Sequence, residues 1–146
     1  MIIAIGSDHA GLEMKERVKI ILEELGHKVI DFGTHSKESV DYSDYGLNVA
    51  RAVAASEATR GVAVCWTGNG MTIAANKIKG IRATLCLSKD MALYARSHND
   101  SNVLTLSQKY IDEKDLRDII VTWLETEFEG GRHARRLEKI KKAEEC

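Results

Sequence analysis

A cysteine stands at residue 65, where the short apolar run Val62–Val64 gives way to a glycine-bearing turn, Thr67-Gly68-Asn69-Gly70. An apolar helical pattern follows from Met71. A thiol placed where a strand hands over to a helix meets free backbone N–H groups and the positive end of a helix dipole. Both favour a thiolate, and both favour an anionic ligand. The chemistry on offer is proton transfer at sulfur beside a bound anion. A buried cysteine is equally at home as a small hydrophobe, so spacing alone leaves the catalytic and structural readings of Cys65 level. The Gly68-x-Gly70 pair is not a Walker loop, because no Gly-Lys-Ser/Thr follows. Nor is it a full dinucleotide fingerprint, because Ile73 occupies the third glycine position.

Three further clusters carry polar chemistry. Gly6-Ser7-Asp8-His9-Ala10-Gly11 follows the first apolar run; Asp8 suits a ligand role or a helix N-cap, and His9 a ligand role or a first-turn surface position. Arg96-Ser97-His98-Asn99-Asp100 comes next, with His98 on the same helical stripe as Met91, Tyr94 and Ala95, which also suits a packed histidine. The last is Gly130-Gly131-Arg132-His133-Ala134-Arg135-Arg136. Arg132 and Arg136 lie four apart and share one helix face, and two guanidiniums on one face suit a phosphate. Lys139, Lys141 and Lys142 continue the basic run, so a solvated basic helix is the alternative.

The elements that must position these clusters alternate strand and helix throughout. Strands are expected at Met1–Gly6, Lys28–Phe32, Gly61–Cys65, Ile81–Cys86 and Val103–Leu106. Helical faces are marked by Leu12, Val18, Ile21, Leu22 and Leu25, then by Val49, Ala50, Val53 and Ala54. Further helices cover Met71–Lys77 and Lys89–Ser97, and Leu116, Ile119, Ile120, Trp123 and Leu124 mark another. Gly26 ends the first helix, residues 33–44 read as a loop, and Gly130-Gly131 breaks the chain before a final helix. Five short apolar strands separated by helices imply an α/β, three-layer Rossmann-like fold with a five-stranded parallel sheet. The 146 residues suit a single domain, 1–146.

Composition excludes several classes of function. The 21 basic and 22 acidic residues nearly cancel, so no global field attracts nucleic acid. No uncharged segment is apolar enough to span a bilayer. The N-terminus enters a strand directly, without the basic region of a signal peptide. Three cysteines with no C-x-x-C argue for a reducing, cytoplasmic setting and against a zinc site, and the five histidines show no metal-ligand spacing.

Ligands of such sheets bind beyond the carboxyl ends of the strands, where Asp8, His9 and Cys65 fall. The His98 cluster precedes the fifth strand and so falls at the amino edge. A strand length of roughly 17–20 Å separates the edges. If all the clusters serve one site, that site spans two subunits packed with opposed edges.

The motifs, taken together and in order, resemble type B ribose-5-phosphate isomerase and the related galactose-6-phosphate isomerase subunits. The matching segments are Ile3–Gly11, Val40-Asp41-Tyr42, Cys65-x-Thr67-Gly68-x-Gly70-Met71, Ala74–Lys77, Gly80–Ala83, His98-Asn99-Asp100-x-Asn102-Val103-Leu104 and Glu127-Phe128-x-Gly130-Gly131-Arg132-His133. They cover nearly the whole chain. The resemblance implies interconversion of ribose 5-phosphate and ribulose 5-phosphate with no cofactor, neither metal nor nucleotide. It makes Cys65 the base that moves a proton between C1 and C2, and His98 the proton donor in furanose ring opening. Thr67, Gly68, Asn69 and Gly70 become the loop that stabilises the enediolate. His9, Arg132 and Arg136 become the phosphate-binding set, while Asp8, Tyr42 and Asn99 line the sugar. It further implies a homodimer with shared active sites, the C-terminal helix packing on the partner subunit; assembly to a tetramer stays open.

Two positions depart from the family pattern. Trp66 replaces the usual glycine after the cysteine, and Lys109 stands where a sugar-contacting arginine is common. Lysine lacks the planar fork of arginine. These departures leave the chemistry intact and keep allose 6-phosphate and galactose 6-phosphate as alternative substrates. A non-catalytic sugar-phosphate-binding module is the alternative from another class; retention of Cys65, Thr67 and His98 together argues against it.

Overall fold

Side-chain size alternates along the strands and decides which helices lie on which face. The computed structural model describes residues 1–146, in the order β1 (Ile2–Ser7), α1 (Leu12–Glu24), β2 (Lys28–Asp31), α2 (Tyr42–Ala54), β3 (Arg60–Cys65), α3 (Asn69–Ala75), β4 (Ala83–Leu85), α4 (Lys89–Ser97), β5 (Val103–Ser107), α5 (Glu113–Glu125) and α6 (Arg132–Ala143). The strands form one parallel sheet, ordered β2-β1-β3-β5-β4. Large residues, Ile3, Ile5, Val62, Val64, Leu104 and Leu106, point to one face and meet α1, α4 and α5. Small ones, Ala4, Ala63 and Cys65, point to the other, where α2 and α3 pack. The expected three-layer parallel architecture is therefore present.

Glycines bring α2 unusually close to the sheet. A Cβ on Gly61 would lie 2.5 Å from Val49 Cγ1, and one on Gly6 would lie 2.9 Å from Val49 Cγ2. Val49 thus fills the space of two missing side chains, one on β1 and one on β3. Such contact is only available where no methyl intervenes.

Element boundaries differ from the sequence reading by more than one residue in three elements. The helix after the long loop begins at Tyr42, so the last three residues of the expected loop are helical. α3 starts at Asn69, two residues earlier than Met71, because Gly68 adopts φ 87° and caps it. β4 is shorter than Ile81–Cys86, running Ala83–Leu85, and side chains bracket the backbone where it begins. Asn76 both donates to the Ala83 carbonyl and accepts from its N–H, and Asn102 Oδ1 accepts from Arg82 N–H.

The final helix stands apart. Gly130 and Gly131 both have positive φ, and α6 then runs out with His133 as its one buried residue. Leu137 is half-buried and Ile140 exposed, and Glu144 just past the helix accepts from Gly80 N–H at 3.1 Å.

A buried lysine holds the other end of the sheet. Lys15 on α1 is 0 % exposed, with its ammonium 2.8 Å from both carboxylate oxygens of Asp31 at the end of β2. Asp31 Oδ1 also accepts from Gly33 N–H at 2.8 Å, shaping the loop beside β1. Removing one partner of a buried pair leaves a charge uncompensated, at a cost of about 3–5 kcal/mol. Asp31→Ala should lower unfolding stability by about that amount in urea titration, and Lys15→Met in the same background should restore part of it. A stability unchanged in Asp31→Ala would show that solvent reaches the ammonium.

Candidate functional site

The sheet order reverses at β1: the chain leaves β1 toward β2 on one side, whereas β3 and its successors lie on the other. Loops after β1 and β3 therefore diverge and leave a crevice at the carboxyl edge, where α/β folds bind ligands. Asp8 and His9 lie on one wall of it and Cys65 on the other, joined by a hydrogen bond from Asp8 N–H to the Val64 carbonyl at 3.4 Å.

Cys65 is 5 % exposed and ends β3. Gly68 N–H points at Cys65 Sγ at 3.2 Å. That donor suits the thiolate, the form able to take a proton. Gly68 can make the contact because it is left-handed, and a Cβ there would lie 2.4 Å from Leu85 Cδ1. The next turn is locked from behind: Thr72 Oγ1 donates to the Gly68 carbonyl at 2.8 Å and lies 2.5 Å from Thr105 Oγ1. Thr67 Oγ1 accepts from Asn69 N–H at 3.4 Å. The N–H groups of Gly70 and Met71 open α3 with no partner in the chain, as first-turn donors do, and remain for an incoming anion.

The neighbouring residues frame this loop. The Tyr42 ring lies flat against Gly70, where a Cβ would meet it at 2.6 Å. Asp8, 7 % exposed, uses Oδ1 to accept from Gly11 N–H at 2.9 Å. It shapes the turn before α1 and does not cap that helix, whose N-cap is Gly11. His9 Nδ1 accepts from Val40 N–H at 3.1 Å, which leaves Nε2 as the outward-facing nitrogen. Lys109 and the half-exposed Trp66 meet through backbone, since Lys109 N–H donates to the Trp66 carbonyl at 2.9 Å. Gln108 makes the matching bond to the Cys65 carbonyl at 3.0 Å, and its side chain accepts from Met14 N–H. In sequence Ser107-Gln108 stands out only as replacing a small, glycine-containing pair before Lys109; the bridging role of the amide has no local signature.

His98, Asn99, Arg132 and Arg136 lie elsewhere. His98 is the C-cap of α4, and the chain then enters β5 at Val103, which pairs with Gly61 at the start of β3; Cys65 pairs with Ser107 at the other end. Four residue steps along a strand are roughly 13 Å. The α5–α6 connection lies on the same amino edge, tied there by Glu129 N–H to the Ser97 carbonyl (3.0 Å) and by Arg96 Nε to the Thr126 carbonyl (3.3 Å). It delivers Arg132 and Arg136, both exposed, to that edge. The structure thus groups Asp8, His9, Tyr42, Cys65–Gly70 and Lys109 at one edge, and His98, Asn99, Arg132 and Arg136 at the other. None of the chain's cavities is lined by Cys65, Asp8 or His9; the largest runs under α6, between Arg82, Asp100, Phe128, Leu137 and Ile140.

The amino edge also holds a feature that linear spacing conceals. His98 stacks on His133 with ring centroids 4.2 Å apart and 15° between planes, and Glu129 Oε2 is 3.9 Å from Nε2 of each. Burial, reinforced by the nearby charge of His98 and Arg132, pulls His133 below the ordinary imidazole range. Nearly parallel rings direct their in-plane lone pairs along separate planes, so the trio does not converge on one ion in this arrangement. Of the other thiols, Cys86 is buried and pushed up to about 11 by desolvation, which leaves it inert, and Cys146 is exposed at the C-terminus. No helix is long and apolar enough to cross a membrane.

Comparison with known proteins places these features in a family. The model of the ribose/galactose isomerase family matches residues 3–140. Ribose-5-phosphate isomerase B of Escherichia coli is 44% identical over 138 residues, covering 94% of this chain and 93% of that one. The structure of Clostridium thermocellum ribose-5-phosphate isomerase B superposes with a TM-score of 0.98 at 50% identity, covering 99% of this chain and 98% of that one. That of the Mycoplasma genitalium enzyme, with bound ribulose-5-phosphate, gives a TM-score of 0.94 at 38% identity, covering 99% and 96%. With its parallel sheet, its cysteine at the strand end and this breadth of similarity, the chain belongs to the ribose/galactose isomerase family.

Proposed function

We propose that this chain is an aldose–ketose isomerase that interconverts ribose 5-phosphate and ribulose 5-phosphate through an enediolate. The observation that carries the chemistry is the Gly68 N–H held 3.2 Å from Cys65 Sγ, beside the unpartnered N–H groups of Gly70 and Met71. A sugar-phosphate-binding module has no use for a donor trained on sulfur. Relatives named as ribose-5-phosphate isomerases favour the pentose over a hexose 6-phosphate.

The steps follow from the roles assigned above. His98 donates a proton to the furanose ring oxygen as the C1–O4 bond breaks, and the O1 hydroxyl releases its proton to water as C1=O1 forms. The Cys65 thiolate takes the proton from C2 of the open aldehyde, and the electron pair moves onto O1. Preorganised backbone donors in the 67–70 loop stabilise that oxyanion without reorganising. The thiol returns its proton to C1, and the O2 hydroxyl proton passes to O1, which leaves the ketose. His9, Arg132 and Arg136 hold the phosphate, so that remote binding energy orients the reacting carbons. Asp8, Tyr42 and Asn99 line the sugar.

The site is shared between two subunits. Asp8, His9 and Cys65 come from one, and His98, Asn99, Arg132 and Arg136 from the other. The support for this is the separation of the two groups onto opposite sheet edges and an α6 that buries one residue of its own chain.

Cys65→Ala should keep the fold and lose about 10²–10⁴-fold in turnover of ribose 5-phosphate. Wild-type turnover in that variant would remove Cys65 from the mechanism. Arg136→Ala should weaken ribose 5-phosphate by about 1.5–3 kcal/mol and leave free ribose nearly unaffected, the loss expected of a charge-assisted hydrogen bond. Equal losses on both sugars would assign Arg136 to structure instead. Subunit exchange tests the sharing. Inactive Cys65→Ala mixed with inactive His98→Gln yields heterodimers with one intact site and one doubly altered site. Activity should return after mixing; verified heterodimers that stay inactive would place both residues in a site within one chain.

A further inference from the structure

We propose that His133 is a positioning residue for His98, its imidazole forming the platform that holds the His98 ring in its proton-donating orientation. The proposal rests on the reading of His98 as the ring-opening acid. His98 caps the end of α4, and its side chain is 36 % exposed, a place where an imidazole would otherwise rotate freely. Two rings restrict it. Tyr94, one turn earlier, lies 4.9 Å away at a tilt of 55°, and His133 stacks at 4.2 Å and 15°. His133 is itself fixed: it is 6 % exposed, and it is the only buried residue of α6.

The stack is assembled by bonds that neither ring makes. Glu129 N–H to the Ser97 carbonyl and Arg96 Nε to the Thr126 carbonyl fasten the α5–α6 connection to the end of α4. The glycine pair Gly130-Gly131 then turns the chain so that the second residue of α6 faces back onto His98. Charge supports the same division of labour. Two imidazoles in face-to-face contact do not both carry a proton at low cost. His133 is buried, its Nε2 has no hydrogen-bond partner, and Arg132 and Arg136 stand on its own helix. Glu129 Oε2 lies 3.9 Å from Nε2 of each ring, so exposure is what separates them: the His98 side chain is open to a ligand, whereas His133 is enclosed. The platform therefore needs a flat, uncharged ring, and its nitrogens are dispensable.

The test uses the full-length enzyme labelled with 13C-histidine. The His98 ring resonance is identified by its absence in His98→Gln. In His133→Ala that resonance should lose its ring-current shift, and in His133→Phe it should keep one. On ribose 5-phosphate, His133→Ala should lose roughly 10- to 100-fold in kcat, the range for a displaced catalytic group, with KM held within about threefold. His133→Phe, which keeps a flat uncharged ring for stacking, should recover most of kcat. An unmoved His98 resonance or a wild-type kcat in His133→Ala overturns the proposal. So does a rise in KM alone, which would make His133 a support for the phosphate-binding face of α6. A His133→Phe variant that folds but is as slow as His133→Ala also overturns it. Wild-type turnover in His98→Gln would instead overturn the reading of His98 as the acid, a failure separable from that of the stack because the resonance reports the stack directly.

Discussion

The contact of Val49 with the glycines of β1 and β3 sets the geometry on which the candidate site depends. Because Gly6 and Gly61 have no side chains, α2 lies directly on the sheet instead of a residue's width above it. Helix α3 follows the same rule, since a Cβ on Gly46 would lie 2.8 Å from Met71 Sδ. Met71 is buried beside Ala63 and Cys65, with Tyr45 packed against them, so the thiol is held in a cluster formed by three elements pressed together. The close approach also brings Tyr42, the first residue of α2, flat against Gly70. A larger residue at Gly6 or Gly61 would displace α2, and with it the wall and floor of the crevice at once. The small-residue face of this sheet is therefore a positional device as much as a packing solution.

A parallel sheet has two chemically different ends, and this chain places reactive groups at both. Loops at the carboxyl edge carry the thiol and the backbone donors; those at the amino edge carry the second histidine and the arginines. No side chain spans roughly 13 Å of strand to join them. A fold that groups its reactive residues this way, and leaves a basic amphipathic helix with one buried residue, is most simply completed by a second copy of itself. Assembly would then be a condition of activity rather than an addition to it.

Much of this was legible in the residue order. Alternation of apolar runs and helical stripes marks the five strands and six helices, because burial on both faces requires it. The Cys65 turn and the Arg132–Arg136 pair stand out through types and spacing alone. The positions of their chain-distant partners do not. His133 reads as one residue of a basic run; only the turn at Gly130-Gly131 and the tie of Glu129 to Ser97 bury it against His98. Asp8 suits a ligand role or an N-cap by type, yet the helix starts after Gly11, and the carboxylate serves the preceding turn. The fastening of β4 is invisible for a similar reason: Asn76 at the end of α3 and Asn102 before β5 reach in to bond the backbone of Ala83 and Arg82. Local pattern reports periodicity and type, whereas these outcomes depend on which distant polar group arrives.

The departures at Trp66 and Lys109 can be understood in the same terms. The backbones of these two residues are joined to one another, and Ser107 Oγ donates to the Trp66 carbonyl as well, at 2.9 Å. One residue back, Gln108 N–H holds the Cys65 carbonyl. Main-chain bonds thus fix the thiol, while the side chains of Trp66 and Lys109 take no part in that fixing. Residues at these two positions can change in size and charge without moving Sγ or the Gly68 N–H. If Cys65 moves the proton as proposed, the backbone frame that holds it is common to every substrate. On the proposed reading, side chains mounted on that frame would select among sugars, and Trp66 and Lys109 would shape what the sugar meets while the frame around Sγ stays as it is.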